Sequence, residues 1–223
     1  VWAVWSDGAR QQTHAFKEEF PLEQCHFSTT QMQVSAGGNH LQPGALQGQL
    51  TRGNDHLSWD LHYNDGEAPL LFLPENFYQR SLPKAKSLVS RPHIRLSGTL
   101  TLNGEPLVLD RWPGSENHNW GSQHTDRYAW GQVVGFDNAP DAFLECATAQ
   151  VKVGPLYSPP LSIAALRLDG ETLLFNSLPR ALRANAEATG LLMAHCRSAE
   201  AALIASTNSV SVSYTHLTLP TKA

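Results

Sequence analysis

The sequence lacks the features that mark several large classes of protein. Its 223 residues carry 16 lysines and arginines against 20 aspartates and glutamates, so it has no basic surplus with which to attract nucleic acid. No apolar run approaches the roughly 20 residues that a membrane-spanning helix needs. The three cysteines, Cys25, Cys146 and Cys196, are widely spaced and form no Cys-x-x-Cys pair. This usage favours free thiols in a reducing, cytoplasmic compartment over a disulfide framework.

Both ends of the sequence are typical of a fragment. The chain opens at Val1 without a start methionine, so we expect its natural N-terminus and any targeting signal to be missing. Residues 209–223 resemble a translated cloning tail, and the alternative is a genuine C-terminal strand. We expect a first β domain over residues 1–110, truncated at its N-terminus. Residues 111–205 are expected to hold the motif segment described below and the start of a second, truncated β domain.

Apolar and polar side chains alternate along most of the chain, with the two-residue period of half-buried strands. Three hairpins are indicated, with turns at residues 52–55, at Asn103-Gly104 and at Asp169-Gly170. Asn103-Gly104 offers the positive φ angles of a type I′ turn. Only residues 178–204, which are rich in alanine, leucine and arginine, favour one or two short helices. The sequence therefore predicts an all-β protein built as an antiparallel barrel or sandwich, with at most short helices.

The segment 111–132 differs from the rest of the chain because it combines large aromatic side chains with ionisable ones. It holds three of the six tryptophans, together with two histidines and two carboxylates. Burying the aromatic rings stabilises a fold, but the polar neighbours then cost a few kcal/mol each unless they are paired. Pro113-Gly114 predicts the end of a strand. A loop up to Gly121 should follow, and then a strand that aligns Tyr128, Trp130 and Gln132 on one face.

Three interpretations of this segment are open. In the first, its polar groups form a structural network that fixes the fold. In the second, Glu116 or Asp126 lies beside tryptophan faces, has a pKa raised by desolvation and donates a proton, with His118 and His124 to orient or relay it. In the third, Glu116, His118 and His124 bind zinc or iron, although their spacing matches no strong signature such as His-Glu-x-x-His.

A family resemblance is carried by two strings, Gly114-Ser-Glu-Asn-His-Asn-Trp-Gly121 and His124-Thr-Asp-Arg-Tyr-Ala-Trp-Gly-Gln132. They resemble a distant bacterial branch of the hydroxyneurosporene synthase and tocopherol cyclase-like proteins, and the likeness extends over residues 1–184. The resemblance implies a lipocalin-like fold, usually with two β domains in tandem. It also implies an apolar, often isoprenoid, ligand. The reaction that it implies is acid-initiated hydration or ring closure at a carbon–carbon double bond, without a metal or organic cofactor.

The leading hypothesis is a lipocalin-like protein that binds a hydrophobic, isoprenoid- or lipid-like small molecule and, if it is an enzyme, hydrates or cyclises it. Glu116 or Asp126 is the candidate proton donor, and His118 and His124 are its candidate supports. The residues expected to bind the ligand are Asn117, Asn119, Trp112, Trp120, Tyr128 and Trp130. The alternatives are a non-catalytic carrier of apolar ligands and a metal-dependent enzyme.

Overall fold

The computed structural model describes residues 1–8, 10–64, 67–125 and 127–183. Within these ranges the chain is almost entirely β-structure, and its longest helix has six residues. The predicted all-β class with short helices is therefore confirmed. The part of the predicted helical region beyond residue 183 lies outside the described residues, as does Asp126. No helix in the described ranges is long and apolar enough to cross a membrane.

The described residues form fifteen strands and one short α-helix. The first eight strands are β1 (Trp2–Asp7), β2 (Gln12–Lys17), β3 (Cys25–Phe27), β4 (Val34–Ala36), β5 (Asn39–Gln42), β6 (Ala45–Arg52), β7 (Asp55–Tyr63) and β8 (Ala85–Leu102). The remaining elements are β9 (Glu105–Gly121), β10 (Arg127–Phe136), β11 (Ala139–Gln150), β12 (Lys152–Val153), β13 (Leu156–Tyr157), β14 (Leu161–Leu168), β15 (Glu171–Phe175) and α1 (Leu178–Arg183). Single 3-10 turns lie at Leu22–Gln24 and Glu75–Phe77.

The strands form antiparallel sheets with open edges. A seven-stranded sheet runs in the order β3-β4-β5-β6-β7-β8-β9, so each strand neighbours the next along the chain. A four-stranded sheet has the order β10-β11-β14-β15, and β1-β2 and β12-β13 form two-stranded ribbons. Because neither large sheet closes on itself, the sandwich is confirmed and the closed barrel is not formed.

The predicted hairpins are present with their expected turns. Strands β6 and β7 are joined through the pair Arg52 and Asp55. Asn103 and Gly104 join β8 to β9 with φ angles of 52° and 85°. Asp169 and Gly170 join β14 to β15 with φ angles of 52° and 78°. Both two-residue turns therefore have the two positive φ angles that a type I′ turn requires.

The prediction that a strand ends at Pro113-Gly114 is wrong. Strand β9 continues from Glu105 to Gly121 without interruption. Proline has no backbone N–H to donate, so it interrupts a central strand but is tolerated where no ladder bond is lost. Strand β9 is an edge strand of its sheet, so a proline can face the side on which no ladder bond is made. Most of the segment predicted as a loop is therefore a strand whose side chains alternate between two faces.

The chain divides into two compact units, each made of two stretches of sequence. Of the described residues, unit 1 contains 1–64 and 94–113, and unit 2 contains 67–93 and 114–183. Strands β8 and β9 contribute residues to both units. The predicted tandem arrangement with a boundary at residue 110 stays a prediction.

Each unit has buried apolar residues of its own. In unit 1 they include Phe16, Leu50, Leu57, Leu61, Tyr63, Leu96, Leu100 and Leu109. In unit 2 a core cluster brings together residues from the segment before β8, from β8 and from the four-stranded sheet: Leu70, Phe72, Val89, Phe143 and Ala165. Residues far apart in sequence thus pack on the inner face of the four-stranded sheet.

Replacing Phe143 by alanine should strongly destabilise unit 2. The ring of Phe143 is 0% exposed, so its loss leaves a cavity and should cost about 3–5 kcal/mol of unfolding free energy. Phe175→Ala is the matched control, because Phe175 lies in the same unit but is 50% exposed, and a surface change should cost under about 1 kcal/mol. Urea unfolding followed by circular dichroism measures both. Equal losses would contradict the assigned core.

Candidate functional site

A carboxyl group, Glu145, lies on the inner, apolar face of β11. It alternates there with Phe143 and Ala147, which both belong to or pack against the core cluster of unit 2. Its cross-strand neighbours are Gln132 on β10 and Ala165 on β14. The residue is 1% exposed. The strand alternation that buries Phe143 therefore also buries a carboxyl group.

The two oxygens of Glu145 have different surroundings. The indole Nε1–H of Trp130 donates to Oε1 at 2.8 Å. The other oxygen, Oε2, is buried and has no hydrogen-bond partner among the described residues. A buried polar atom without a partner is rare in native proteins, and active sites are one place where such atoms occur.

The pKa of Glu145 is raised from its ordinary value of 4.5 to about 7. The main cause is burial, because an ionised carboxylate loses its hydration in the apolar interior. The hydrogen bond from Trp130 opposes this rise by favouring the ionised form, and the nearby amide of Gln132 acts in the same direction. With a pKa of about 7, a large share of Glu145 is neutral at physiological pH. A neutral carboxylic acid in an apolar setting can donate a proton.

A ring of three polar side chains fixes Gln132 beside Glu145. The Ser115 hydroxyl donates to Gln132 Oε1 at 2.6 Å, and Asn117 Nδ2 donates to Ser115 Oγ at 3.0 Å. Gln132 Nε2 then donates to Asn117 Oδ1 at 2.9 Å, which closes the ring. Ser115 and Asn117 are both buried. Since each bond restricts the next, the ring holds one orientation of the Gln132 amide next to the carboxyl group.

The opposite face of β9 carries Glu116, His118 and Trp120. Neighbouring residues of a strand point to opposite faces, so Glu116 is separated from the ring formed by Ser115 and Asn117. Glu116 is 4% exposed, and its Oε2 lies 3.9 Å from Arg91 Nε. Its carboxylate is therefore part of an ion pair with a guanidinium group.

An aromatic stack lies beyond Glu116 along the same face of β9. The rings of His118 and Trp120 stack with centroids 5.0 Å apart, and Trp120 stacks on Tyr78 at 5.8 Å. The hydroxyl of Tyr78 donates to the Ser87 carbonyl at 2.7 Å. Burial raises the pKa of Tyr78, and the negative charge of Glu145 raises it further. Tyr78 is therefore close enough to Glu145 for the two groups to interact electrostatically.

The structure brings together only some of the residues that the sequence predicted. Trp130 contacts Glu145 directly, and Asn117 acts through Gln132. His124 is exposed, with Nδ1 3.0 Å from the Thr125 carbonyl oxygen, and its ring lies 5.4 Å from that of Tyr128. Of the other predicted residues, Asn119 is exposed, Trp112 belongs to unit 1, and Asp126 lies outside the described ranges.

The metal site of the third interpretation is not formed by the described residues. Among them, no group of three histidine, cysteine, aspartate or glutamate side chains lies close enough to hold a metal ion. Glu116 faces Arg91, His118 stacks on Trp120, and His124 lies beside Tyr128. The three proposed ligands are thus directed to three different sets of neighbours.

Sequence reasoning missed Glu145, Tyr78 and the partners Ser115 and Gln132 as site residues. The sequence could have indicated Glu145, because the two-residue period of a strand places it on the same apolar face as Phe143 and Ala147. No comparable signal marks Tyr78, which follows a 3-10 turn in a stretch without alternation. Its position depends on packing against residues distant in sequence.

Replacing Glu145 by glutamine should remove a pH dependence of stability. Because the pKa is about 7 when folded and 4.5 when unfolded, the wild-type protein is penalised for ionising this group. The contribution of Glu145 to the free energy of unfolding is fully present below pH 4.5 and falls by about 3 kcal/mol as the pH rises through 7. Urea unfolding at several pH values should show this fall for the wild type and for the exposed control Glu171→Gln. A similar fall in Glu145→Gln would contradict the assignment.

Replacing Trp130 by phenylalanine should raise the pKa of Glu145 above its present value. The substitution keeps an aromatic ring but removes the Nε1–H donor that favours the ionised carboxylate. Infrared spectroscopy of the protonated carboxyl band across a pH series measures this pKa. Trp59→Phe, on β7 of unit 1, is the control and should leave the titration unchanged.

Comparison with known proteins gives a likeness in fold. The sequence matches no protein-family model and no curated protein. A crystal structure from Nitrosomonas europaea, provisionally described as ATTH, has a TM-score of 0.54 and 18% sequence identity to this chain. The match covers 78% of this chain and 56% of that one, so this chain spans little more than half the length of that protein. At this identity the two proteins are similar in fold alone.

Proposed function

We propose that unit 2 binds an apolar, isoprenoid- or lipid-like small molecule and transfers a proton to it from Glu145. The observation that carries this proposal is the burial of the Glu145 carboxyl group with its Oε2 atom lacking a hydrogen-bond partner among the described residues, and this burial raises its pKa to about 7. An acid with a pKa near the working pH is both protonated and able to release its proton. The resemblance to hydroxyneurosporene synthase and tocopherol cyclase-like proteins supports the same chemistry.

The reaction that fits such an acid is addition to a carbon–carbon double bond. Glu145 transfers its proton to one alkene carbon, and the π-electron pair forms the new C–H bond, which leaves a carbocation on the other carbon. The ring of Trp130, whose Nε1–H edge contacts the acid, would stabilise that cation where the substrate lies against the ring face. In a hydration, water attacks the cation and loses a proton that returns to Glu145. In a cyclisation, a hydroxyl group of the substrate takes the place of water. The sequence of steps consumes no electrons and needs neither a metal nor an organic cofactor.

Access to Glu145 requires a movement of side chains. Glu145 is 1% exposed, and it does not line the cavity of about 30 Å³ at the strand ends of unit 2. Trp130, which contacts Glu145, is half-buried, so it is well placed to move aside. Binding of a ligand should therefore change the environment of Trp130.

A non-catalytic carrier is the second candidate, and one observation favours it. The ring of Ser115, Asn117 and Gln132 is closed by its own hydrogen bonds. Glu116 likewise has Arg91 as a partner. Buried polar networks of this kind can serve only to fix a fold. In this case an apolar ligand would bind without being changed, and Glu145 would serve only as an acceptor for Trp130.

Incubation with a defined polyene in heavy water tests the catalytic proposal. We expect geranylgeraniol to gain one carbon-bound deuterium, either with the mass of one added water or as a ring-closed isomer, as measured by mass spectrometry. Glu145→Gln should lower the rate at least about 100-fold, because an amide cannot supply the proton. Glu171→Gln, an exposed change in the same unit, should leave the rate unchanged.

Three outcomes separate the candidates. Loss of turnover in Glu145→Gln, with quenching of tryptophan fluorescence by geranylgeraniol retained, supports the proton donor. Loss of turnover in Glu116→Gln but not in Glu145→Gln would return the role to the residue predicted from the sequence. Fluorescence quenching with no deuterium uptake in any variant would identify a carrier. Mass spectrometry of organic extracts from the purified protein should show a co-purifying apolar molecule in the first and third cases.

A further inference from the structure

A small pocket in unit 2 is lined by residues from three segments at strand ends. One segment leads into β8, one follows β9, and one joins β11 to β12. The lining residues are Pro83, Lys84, Ala85, Gln123, His124, Thr125, Gln150, Val151 and Lys152. None of the nine is acidic, whereas two are lysines and one is a histidine. In a chain with a formal net charge of −4, this is a local concentration of positive charge.

Backbone contacts hold two of the three segments together. The Ser122 N–H donates to the Lys84 carbonyl oxygen at 3.1 Å. Gly121 has a φ of +152°, and a Cβ at this position would collide with the same carbonyl oxygen. Glycine therefore allows the end of β9 to approach Lys84 closely. This approach brings Gln123 within reach, and Lys84 Nζ donates to Gln123 Oε1 at 2.9 Å.

Further positive charge lies at the third segment. Lys152 Nζ lies 5.8 Å from the centre of the Tyr157 ring, and the guanidinium carbon of Arg127 lies 4.1 Å from the same ring. The two cationic groups are therefore within about 10 Å of each other. In the described part of the chain, no carboxylate forms an ion pair with Lys84, Arg127 or Lys152. Like charges at this separation repel, and a bound anion would relieve the repulsion.

We propose that this pocket binds the anionic group of a small ligand, either a phosphate or a carboxylate. Lys84 keeps two N–H donors after its bond to Gln123, since an ammonium group has three. Further donors from the lining are Lys152, Thr125 and the one Gln150 amide N–H that is left after Gln150 donates to the Ser158 carbonyl. The volume of about 30 Å³ suits one such group, because a site for a whole drug-sized molecule occupies roughly 300–1,000 Å³.

The proposal is independent of the function proposed for Glu145. No residue of the pocket contacts Glu145 through a described hydrogen bond, and the pocket needs no proton transfer. Anion binding can therefore be measured in the absence of any reaction.

Titration with inorganic phosphate and with butyrate, at pH 7 and constant ionic strength, tests the site. Isothermal calorimetry should show saturable binding of one of the two anions, and the preferred anion identifies the group. Lys84→Gln and Lys152→Gln should each weaken that binding about tenfold or more, because each removes a charge-assisted hydrogen bond. Lys17→Gln is the matched control, since Lys17 lies in unit 1 and pairs with Glu19.

Amide NMR spectra of the same titrations locate the anion and check the fold of each variant. Shifts confined to residues 84–85, 122–125 and 150–152 support the proposal, provided that the Lys17→Gln protein shows the same shifts. Equal affinity in all three lysine variants would overturn it. Shifts spread over other lysines would also overturn the proposal. Loss of binding when chloride is the anion of the salt that sets the ionic strength would do the same.

Discussion

The burial of the Glu145 carboxyl group against the indole N–H of Trp130 is the interaction on which the arrangement of unit 2 depends. The apolar face that removes water from Glu145 also raises its pKa to about 7. Trp130 satisfies one oxygen at 2.8 Å, while Gln132, held by Ser115 and Asn117, sits at the neighbouring strand position. The negative charge of Glu145 also raises the pKa of Tyr78. The buried acid thus has Trp130 as its hydrogen-bond donor and Gln132 as its cross-strand neighbour.

Much of the fold was predictable because strand periodicity and turn chemistry are local. Alternation identified the strands of three hairpins, and the residue pairs Asn103-Gly104 and Asp169-Gly170 identified two tight turns, since few residues tolerate positive φ. The end of a strand at Pro113-Gly114 was predicted wrongly, because the effect of proline depends on whether its strand has a neighbour on that side. Strand order and the packing of Val89 against Phe143 also depend on contacts between distant residues, which periodicity does not contain.

The candidate site was only partly predictable for the same reason. The sequence analysis predicted a loop after Arg111, and in a loop all the polar side chains could point to the same site. As a strand, it directs Asn117 to one face and Glu116 to the other. Trp130 and Asn117, two of the residues predicted to bind a ligand, lie in the polar cluster, but its acid comes from β11, outside the segment. The composition of a segment shows that its polar groups need hydrogen-bond partners. It does not show which strand carries those partners.

Strand β11 also sets a length scale inside unit 2. Glu145 occupies its middle, and its last residue, Gln150, lines the cationic pocket at the strand end. Five residues of extended chain span about 17 Å. A molecule that engaged both places at once, with an anionic head in the pocket and an unsaturated tail at Glu145, would have to be at least that long.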